Sequence, residues 1–525
     1  MTFLHLKSSR IAQPSERDRR ISFLDMLFFV VIFAALLVRV INLDYNSAFN
    51  DEAIYIVVGR MGLYTSDWLS YGAKLWMAGL PYIYPVLSAL AYETTGLLGS
   101  RFLNVIFGLL LVEEVYRLTL LLNLFDRQTN KTAAVIALFL SGFTATGIYV
   151  SKLATYDILS FLLMMVAITS FLRAQYSQNG KYYFISFVSI FFAFLTKIVV
   201  GIFFAPLFIL SLAILRSRSK KHKQLALAYL YVPFFLGMSI YGLLSINNLM
   251  TFIATHRGQG IVEQYQPLFE LIWDMSGFTM LMAIPASGLL ALLNKTKQTA
   301  SLCGLAAVIP VFHLTLRRFA TLDKHIYLTE IFLSVIIGYA TSYLIHRKDS
   351  VPFPSFISQL SAKAKLRLPL LSKLSVHNRN GGSLLFRSIV VFCLAFVFAF
   401  HSLQTADGLE QGWKNTKGVG YFLSEKVKPG DKVLTENGGA LILMLYDKIF
   451  PPTNIVTFDW IDYSGITEEQ AYVQAIRDGY FDFVEFDGES QTHETLTQIL
   501  RQEMSGSYSL IYSVNNFEVY EKNES

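Results

Sequence analysis

Charged residues are scarce in this sequence. They make up 16% of the 525 residues, against 53% hydrophobic, and the mean hydropathy is +0.45. No soluble domain needs that much apolar surface for its core, so the excess is expected to face lipid. Cysteine is nearly absent: Cys303 and Cys393 are the only two, and both fall in apolar stretches. That excludes a disulfide framework and a cysteine metal site. Neither a glycine-rich nucleotide loop nor an internal repeat is found. The first apolar block is not followed by a small-residue cleavage site, so it is expected to remain as a helix.

What is present is a series of apolar blocks near the length needed to cross a hydrocarbon core of about 30 Å. They lie at about 22–42, 98–121, 132–150, 156–172, 225–245, 278–293, 300–316, 326–345 and 384–401. The stretch 182–215 is too long for one span and carries Lys197 near its middle, so it is split into two short helices meeting there. The expectation is a polytopic α-helical membrane protein with about eleven transmembrane helices over residues 1–404.

The net charge of +6 does not point to a nucleic-acid partner, because the cations sit in alternate connections. One set holds Arg17, Arg19 and Arg20, then Arg127 and Lys131, the run 216–223 (RSRSKKHK), Lys295 and Lys297, and the basic, proline-containing segment 347–379. These are expected to be cytoplasmic, with membrane lipids as neighbours. The other set carries Asp44, Asp51, Glu52, Asp67 and Glu93, and is expected to face outward. An odd number of spans then places the C-terminal part, residues 405–525, outside. There, strand-like runs at 432–434, 454–458, 481–486, 510–514 and 517–520 alternate with helix-like ones, as in a small α/β domain. One helix is marked by a capping-box pattern at Thr467 and Gln470 and by Gly479 after its end.

The first outer loop, 43–97, is long for a helix connection and ends in a short apolar segment, 85–98, read as an interfacial helix. It contains the most informative cluster, Asn50-Asp51-Glu52-Ala53-Ile54-Tyr55. Adjacent carboxylates beside a membrane can supply a base for an acceptor hydroxyl, and taken alone they also suit a solvated loop. Around them stand Arg39, Gly79-Leu80-Pro81-Tyr82-Ile83-Tyr84-Pro85, Gly99-Ser100-Arg101-Phe102-Leu103-Asn104, Lys152-Leu153-Ala154-Thr155-Tyr156-Asp157 and Leu195-Thr196-Lys197.

This succession resembles the C-type (GT-C) membrane glycosyltransferases, in particular the group of protein O-mannosyltransferases and aminoarabinose transferases acting on lipid A. The resemblance covers residues 39 to 343, departing from many members in having the single Pro85 where they have a pair. It implies an inverting enzyme that takes a sugar from a polyprenyl-phosphate carrier on the outer face and passes it to a lipid, glycan or protein acceptor. Asp51 would be the catalytic carboxylate, Glu52 its support, and Asp157 a second acidic residue facing the cavity.

A leaving phosphate needs fixed positive charge. The candidates are Lys197, Arg101, Lys74, and Arg318, Lys324 and His325 in the run 317–325. Lys197 stands first, since a lysine in an apolar run needs an anion or a path to water. Asp157 also suits a helix N-terminus, Lys197 suits snorkelling to the interface, and His325 suits a plain interfacial residue. Glu113 and Glu114 are expected to pair with Arg117. The residues name no certain cofactor and leave metal dependence open: Asp51 and Asp157 could share a divalent ion only if they approach within coordination distance. The rival expectation is a transporter or flippase of a lipid-linked or anionic substrate, which predicts repeated halves with broken helices.

Overall fold

The computed structural model describes residues 22–68, 83–256, 261–346, 382–436, 438–449, 451–458, 461, 463–466, 468–488 and 494–524. Lys74 and the basic linker expected at 347–379 lie outside these residues, as does Thr467.

Helix α1 (Phe23–Val40) opens on a capping box between Ser22 and Asp25. It is followed by α2 (Asn50–Thr65), α3 (Ile83–Thr95), α4 (Leu97–Leu122), α5 (Arg127–Phe143), α6 (Ala145–Lys152), α7 (Asp157–Ser177) and α8 (Gly180–Thr196). A 3-10 turn (Ile198–Phe203) leads into α9 (Phe204–Arg216), and α10 (Lys220–Ala226) runs through a π turn into α11 (Val232–His256). The helices α12 (Gln266–Leu292), α13 (Thr296–Leu316), α14 (Leu322–His346) and α15 (Gly382–Glu410) complete the apolar part.

Every expected span falls on a helix, and the chain is an integral membrane protein. The exact count of about eleven is not confirmed by length and apolarity. Among the described residues, seven helices are long and apolar enough to cross a membrane, or eight if α5 and α6 form one broken span. The shortfall has local causes: α4 contains Arg101, Glu113, Glu114 and Arg117, and α8 has only 17 residues. The span expected at 132–150 is bent by 60° between α5 and α6. Thr144 causes the stop by turning extended and capping α6, its hydroxyl oxygen accepting from the Gly147 amide.

The break expected at Lys197 is present, with that residue in extended backbone between α8 and the 3-10 turn. The ion pairs of Arg117 with Glu113 and Glu114 are also present, at 2.6 and 2.7 Å. The most enclosed span is α14, 78% of which is buried, packed against α5, α12 and α13. Side chains on its first turn are therefore held on a rigid element.

The first outer loop holds a helix that the sequence reading did not find. Helix α2 buries most of its length, including Ala53, Ile56, Val57 and Met61 on one side and Ile54, Tyr55 and Val58 on the other. A helix apolar on both sides gives no amphipathic period, so its sequence does not announce it.

After α15 comes the small α/β domain: α16 (Lys417–Lys426), β1 (Val433–Thr435), α17 (Gly438–Leu445), β2 (Ile455–Thr457), α18 (Glu468–Arg477), β3 (Phe483–Phe486), α19 (Glu494–Glu503), β4 (Tyr508–Val514) and β5 (Phe517–Lys522). All five expected strands form, in the sheet order β2-β1-β3-β5-β4. The first three are parallel; β5 pairs antiparallel with both β3 and β4. Gly479 ends α18 at φ +62°, as its position after the helix demanded.

The sheet buries one unusual carboxyl. Glu485 on β3 is 1% exposed; one oxygen accepts from the Thr435 hydroxyl at 2.7 Å, and the other has no partner among the described residues. Burial pushes its pKa up to about 8, aided by the charges of Asp487 and Glu436 and opposed by the Thr435 bond. Because the folded value lies above the ordinary one near 4.5, the protonated form stabilises the fold at acid pH. That contribution is lost as pH rises towards about 8. Glu485→Gln is therefore expected to stabilise the domain at pH 8, on the order of a few kcal/mol, and to leave pH 4 stability nearly unchanged. Amide exchange of peptides covering β1 and β3 measures this; equal protection of mutant and wild type at pH 8 would refute it.

Candidate active site

Glu52 is fully buried at the start of α2, and all four of its acceptor directions are used. Its Oε1 accepts from Arg101 Nε at 2.9 Å and from the Ala154 amide at 2.7 Å. Its Oε2 accepts from Arg101 Nη2 at 2.8 Å and from the Phe49 amide at 2.8 Å, the latter closing a cap on its own helix. Arg101 spends its other N–H groups on the carbonyls of Leu43, Asn46 and Ser47, so all five donors are satisfied and its face lies over Tyr45. This corrects the expectation that Arg101 is open to a phosphate: it has no donor left. Glu52 holds the loop before α2, α4 and the turn after α6 together.

The other motif residues brace the same junction. Ser100 donates to the Ser88 carbonyl, and Asn104 accepts from Tyr84 while donating to the carbonyls of Leu153 and Thr155. Lys152 forms a buried ion pair with Glu410 at 2.6 Å. The junction thus fixes where the next carboxylate points.

Asp51 points away from Glu52. Its side chain is 26% exposed, and its Oδ2 pairs with Lys324 Nζ at 2.5 Å. Lys324 is itself buried at the start of α14, over the Phe49 ring. Close by, Asp157, at the first position of α7, forms an ion pair with Lys197 from the break after α8. Lys197 lies over the Tyr156 ring, which packs on Tyr55, three residues after Glu52. Charge from Lys324 reaches both Asp157 and Lys197, so the two ion pairs form one electrostatic cluster. Four helix ends meet here, on the side opposite the basic connections.

Two further groups face the cluster with unmet hydrogen-bonding capacity. His325 is 4% exposed, and its Nε2 has no partner among the described residues; the same is true of Arg318 Nε. The Nδ1 of His325 lies 3.0 Å from Nε2 of His313, whose own Nδ1 is 2.6 Å from the Arg318 carbonyl. A carbonyl only accepts, so His313 Nδ1 carries a proton. In the neutral pair, His313 Nε2 then accepts from His325 Nδ1, and His325 turns its open Nε2 outward. His313 was missed in the sequence because a lone histidine in the apolar α13 carries no pattern; its twelve-residue distance from His325 becomes meaningful only when α13 and α14 pack together.

The structure thus brings Asp51, Asp157, Lys197, Lys324 and His325 together, with Arg318 beside them, and assigns Glu52 and Arg101 to the frame. Asp51 and Asp157 each face a lysine. No group of three or more His, Cys, Asp or Glu among the described residues is placed to hold a metal ion.

The helical bundle followed by a small sheet domain has the fold of the solved structures to which the chain is similar. Residues 81–241 match the family described as dolichyl-phosphate-mannose-protein mannosyltransferase. The crystal structure of ArnT from Cupriavidus metallidurans bound to undecaprenyl phosphate is similar at TM-score 0.56 and 14% identity, covering 95% of this chain and 97% of that one. The archaeal oligosaccharyltransferase AglB from Archaeoglobus fulgidus, in complex with an inhibitory peptide and a dolichol-phosphate, is similar at TM-score 0.53 and 13% identity. That match covers 95% of this chain and 74% of AglB. No curated protein sequence matches the chain.

Proposed function

We propose that this protein is an inverting glycosyltransferase that moves a hexosyl or pentosyl group from a polyprenyl-phosphate carrier to an acceptor hydroxyl. The observation that carries this is the juxtaposition of a partly exposed carboxylate, Asp51, with buried cations that still have donors to offer. Two similar structures hold undecaprenyl phosphate and dolichol-phosphate, which supports a lipid phosphate as the ligand for those cations. The matched family description supports a sugar as the group transferred.

In this reading Asp51 removes the proton of the acceptor hydroxyl as its oxygen bonds to the anomeric carbon. The bond from that carbon to the phosphate oxygen breaks on the opposite face, and its electron pair leaves with the phosphate. Lys197, Lys324 and Arg318 stabilise that developing charge in a site largely shielded from water, whereas the open Nε2 of neutral His325 is an acceptor and lends the phosphate no proton. Their carboxylate partners hold the lysines in place before the donor arrives. No step needs a metal. Since the cluster lies opposite the basic connections, the positive-inside rule puts it, and the C-terminal domain, on the outer face of a cell membrane. The acceptor is a lipid, glycan or protein hydroxyl approaching from that face.

The transport reading predicts repeated halves with broken helices; the breaks at Thr144 and Lys197 are present, but the sequence holds no repeat in which they would recur.

The test is transfer of labelled sugar from a polyprenyl-phosphate sugar by the protein in nanodiscs, with undecaprenyl phosphate binding measured in parallel. Lys197→Met is expected to weaken binding at least about tenfold, because a hydrogen bond between charged groups contributes about 1.5 to 3 kcal/mol. Unchanged binding would remove Lys197 from the phosphate site, and absence of any transfer by the wild type would overturn the whole reading.

A further inference from the structure

We infer that the C-terminal domain is a working part of the catalytic unit, forming the second wall of the helix that carries Asp51. The inference deepens the proposed function and rests on it for the word catalytic.

Helix α2 has two apolar faces and two hosts. Ile54, Tyr55 and Val58 pack with Tyr84 and Leu159 of the membrane bundle. Ala53, Ile56, Val57 and Met61, at the spacing of a single helical stripe, belong instead to the core of the sheet domain, with Val433, Leu441, Leu445, Ile455 and Phe483. Those residues come from β1, α17, β2 and β3; α2 packs on α17, which is itself seated on β2, so the parallel part of the sheet shares one core with α2 through α17. A domain that merely hung from the membrane would keep such a core to itself. Here its removal would strip water-excluding contacts from half of the helix that positions the base.

The approach is closest where it matters for Asp51. At the start of α17, a Cβ on Gly439 would stand 1.9 Å from Asn50 Oδ1 and 3.1 Å from Asn50 Cα, the residue next to Asp51. One position earlier, a Cβ on Gly438 would stand 1.8 Å from Thr457 Cγ2, so α17 cannot move back towards the sheet to make room. The glycine pair lets α17 touch α2 while seated on β2.

Polar ties fix the rest of the seam. Arg60 near the end of α2 bonds both Glu93 on α3 and Asp447 just past α17, at 2.8 and 2.9 Å, and lies over the Tyr446 ring. The loop before α2 is tied to the chain that enters the domain: Asn46 donates to the Trp413 carbonyl, Trp413 to the Ser47 carbonyl, and the Thr416 amide to the Ser47 hydroxyl. Both ends of the helix are therefore held by the domain.

The consequence is a positioning role that a single methyl group tests. Gly439→Ala displaces the Asn50 side-chain amide and sets the new methyl 3.1 Å from Asn50 Cα, so the first turn of α2 must give by a few tenths of an ångström beside Asp51. Three measurements on the full chain in nanodiscs read the effect: amide exchange of residues 50–57, undecaprenyl phosphate binding, and sugar transfer. The expected result is faster exchange in α2 and transfer reduced about tenfold, short of the about 10²-fold of a full 1 Å misplacement, with binding within about twofold of wild type. Adding Asn50→Gly, which removes the amide the new methyl meets, is expected to restore part of both losses. Exchange and transfer unchanged by Gly439→Ala would overturn the inference, as would a transfer loss with α2 exchange unchanged. If Gly439→Ala fails to fold, Asp447→Asn, at an exposed partner of Arg60, must still speed exchange at the C-terminal turn of α2 or the inference falls. Should the wild type transfer no sugar at all, the exchange measurements still decide whether the domain holds α2.

Discussion

Asp51→Asn is expected to lower sugar transfer by about 10²- to 10⁴-fold, the loss that follows removal of a positioned general base. The substitution keeps the size of the side chain and can still accept a hydrogen bond from Lys324, so α2 stays seated on both its hosts. What disappears is the charge that accepts a proton. Undecaprenyl phosphate should bind at least as well as to wild type, because Lys324 loses the counter-charge of its 2.5 Å pair and presents an uncompensated cation to the phosphate. The assay follows labelled polyprenyl-phosphate sugar at equal membrane abundance of the two proteins. A rate within twofold of wild type sinks the assignment of the base. A loss in transfer matched by an equal loss in phosphate binding would instead mean that Asp51 acts by holding Lys324.

The two carboxylates of the Asp-Glu pair look interchangeable in the sequence, and the structure separates them by environment. On a helix, adjacent residues point about 100° apart, so one faced the interior as soon as the other faced the cavity. Which was which could not be read from Asn50-Asp51-Glu52, because α2 is apolar on both sides and offers no polar face to orient by. The same limit hid the role of Arg101. A lone arginine in a span reads as a phosphate ligand or as a structural cation with equal ease. The carbonyls of Leu43, Asn46 and Ser47 that settle the matter belong to backbone that no residue pattern reveals.

By contrast, Lys197 was legible. A lysine in the middle of an apolar run must break the run or find an anion, and it does both, with extended backbone after α8 and Asp157 as partner. The strands of the C-terminal domain were legible for a similar reason, since each is a short apolar run bounded by turn residues. Their assembly onto α2 was not: Gly438 and Gly439 read as a plain loop-to-helix junction until Asn50 and Thr457 stand against them.

The buried pair supplies the sharpest contrast with Asp51. Both Glu52 and Arg101 have fully buried side chains, so replacing either one leaves the other charge without compensation in a site closed to water. Glu52→Gln and Arg101→Leu should each destabilise the protein by about 3–5 kcal/mol, enough to remove much of the folded protein from the membrane. The damage should spread beyond the pair, because the Phe49 and Ala154 amides lose a charged acceptor in the first case and three carbonyls lose their donors in the second. Combining Glu52→Gln with Arg101→Leu removes both charges, so its loss should be smaller than the sum of the two single losses. Recovery stays incomplete, since the carbonyls of Leu43 and Asn46 still lack the donors that Arg101 gave them and that of Ser47 keeps only Trp413. Thermal unfolding in detergent, read by the loss of the monodisperse peak, gives the comparison. A Glu52→Gln protein that folds as wild type but transfers no sugar would move Glu52 from the frame into the chemistry, and Asp51 and Glu52 would then have to be treated as one catalytic pair.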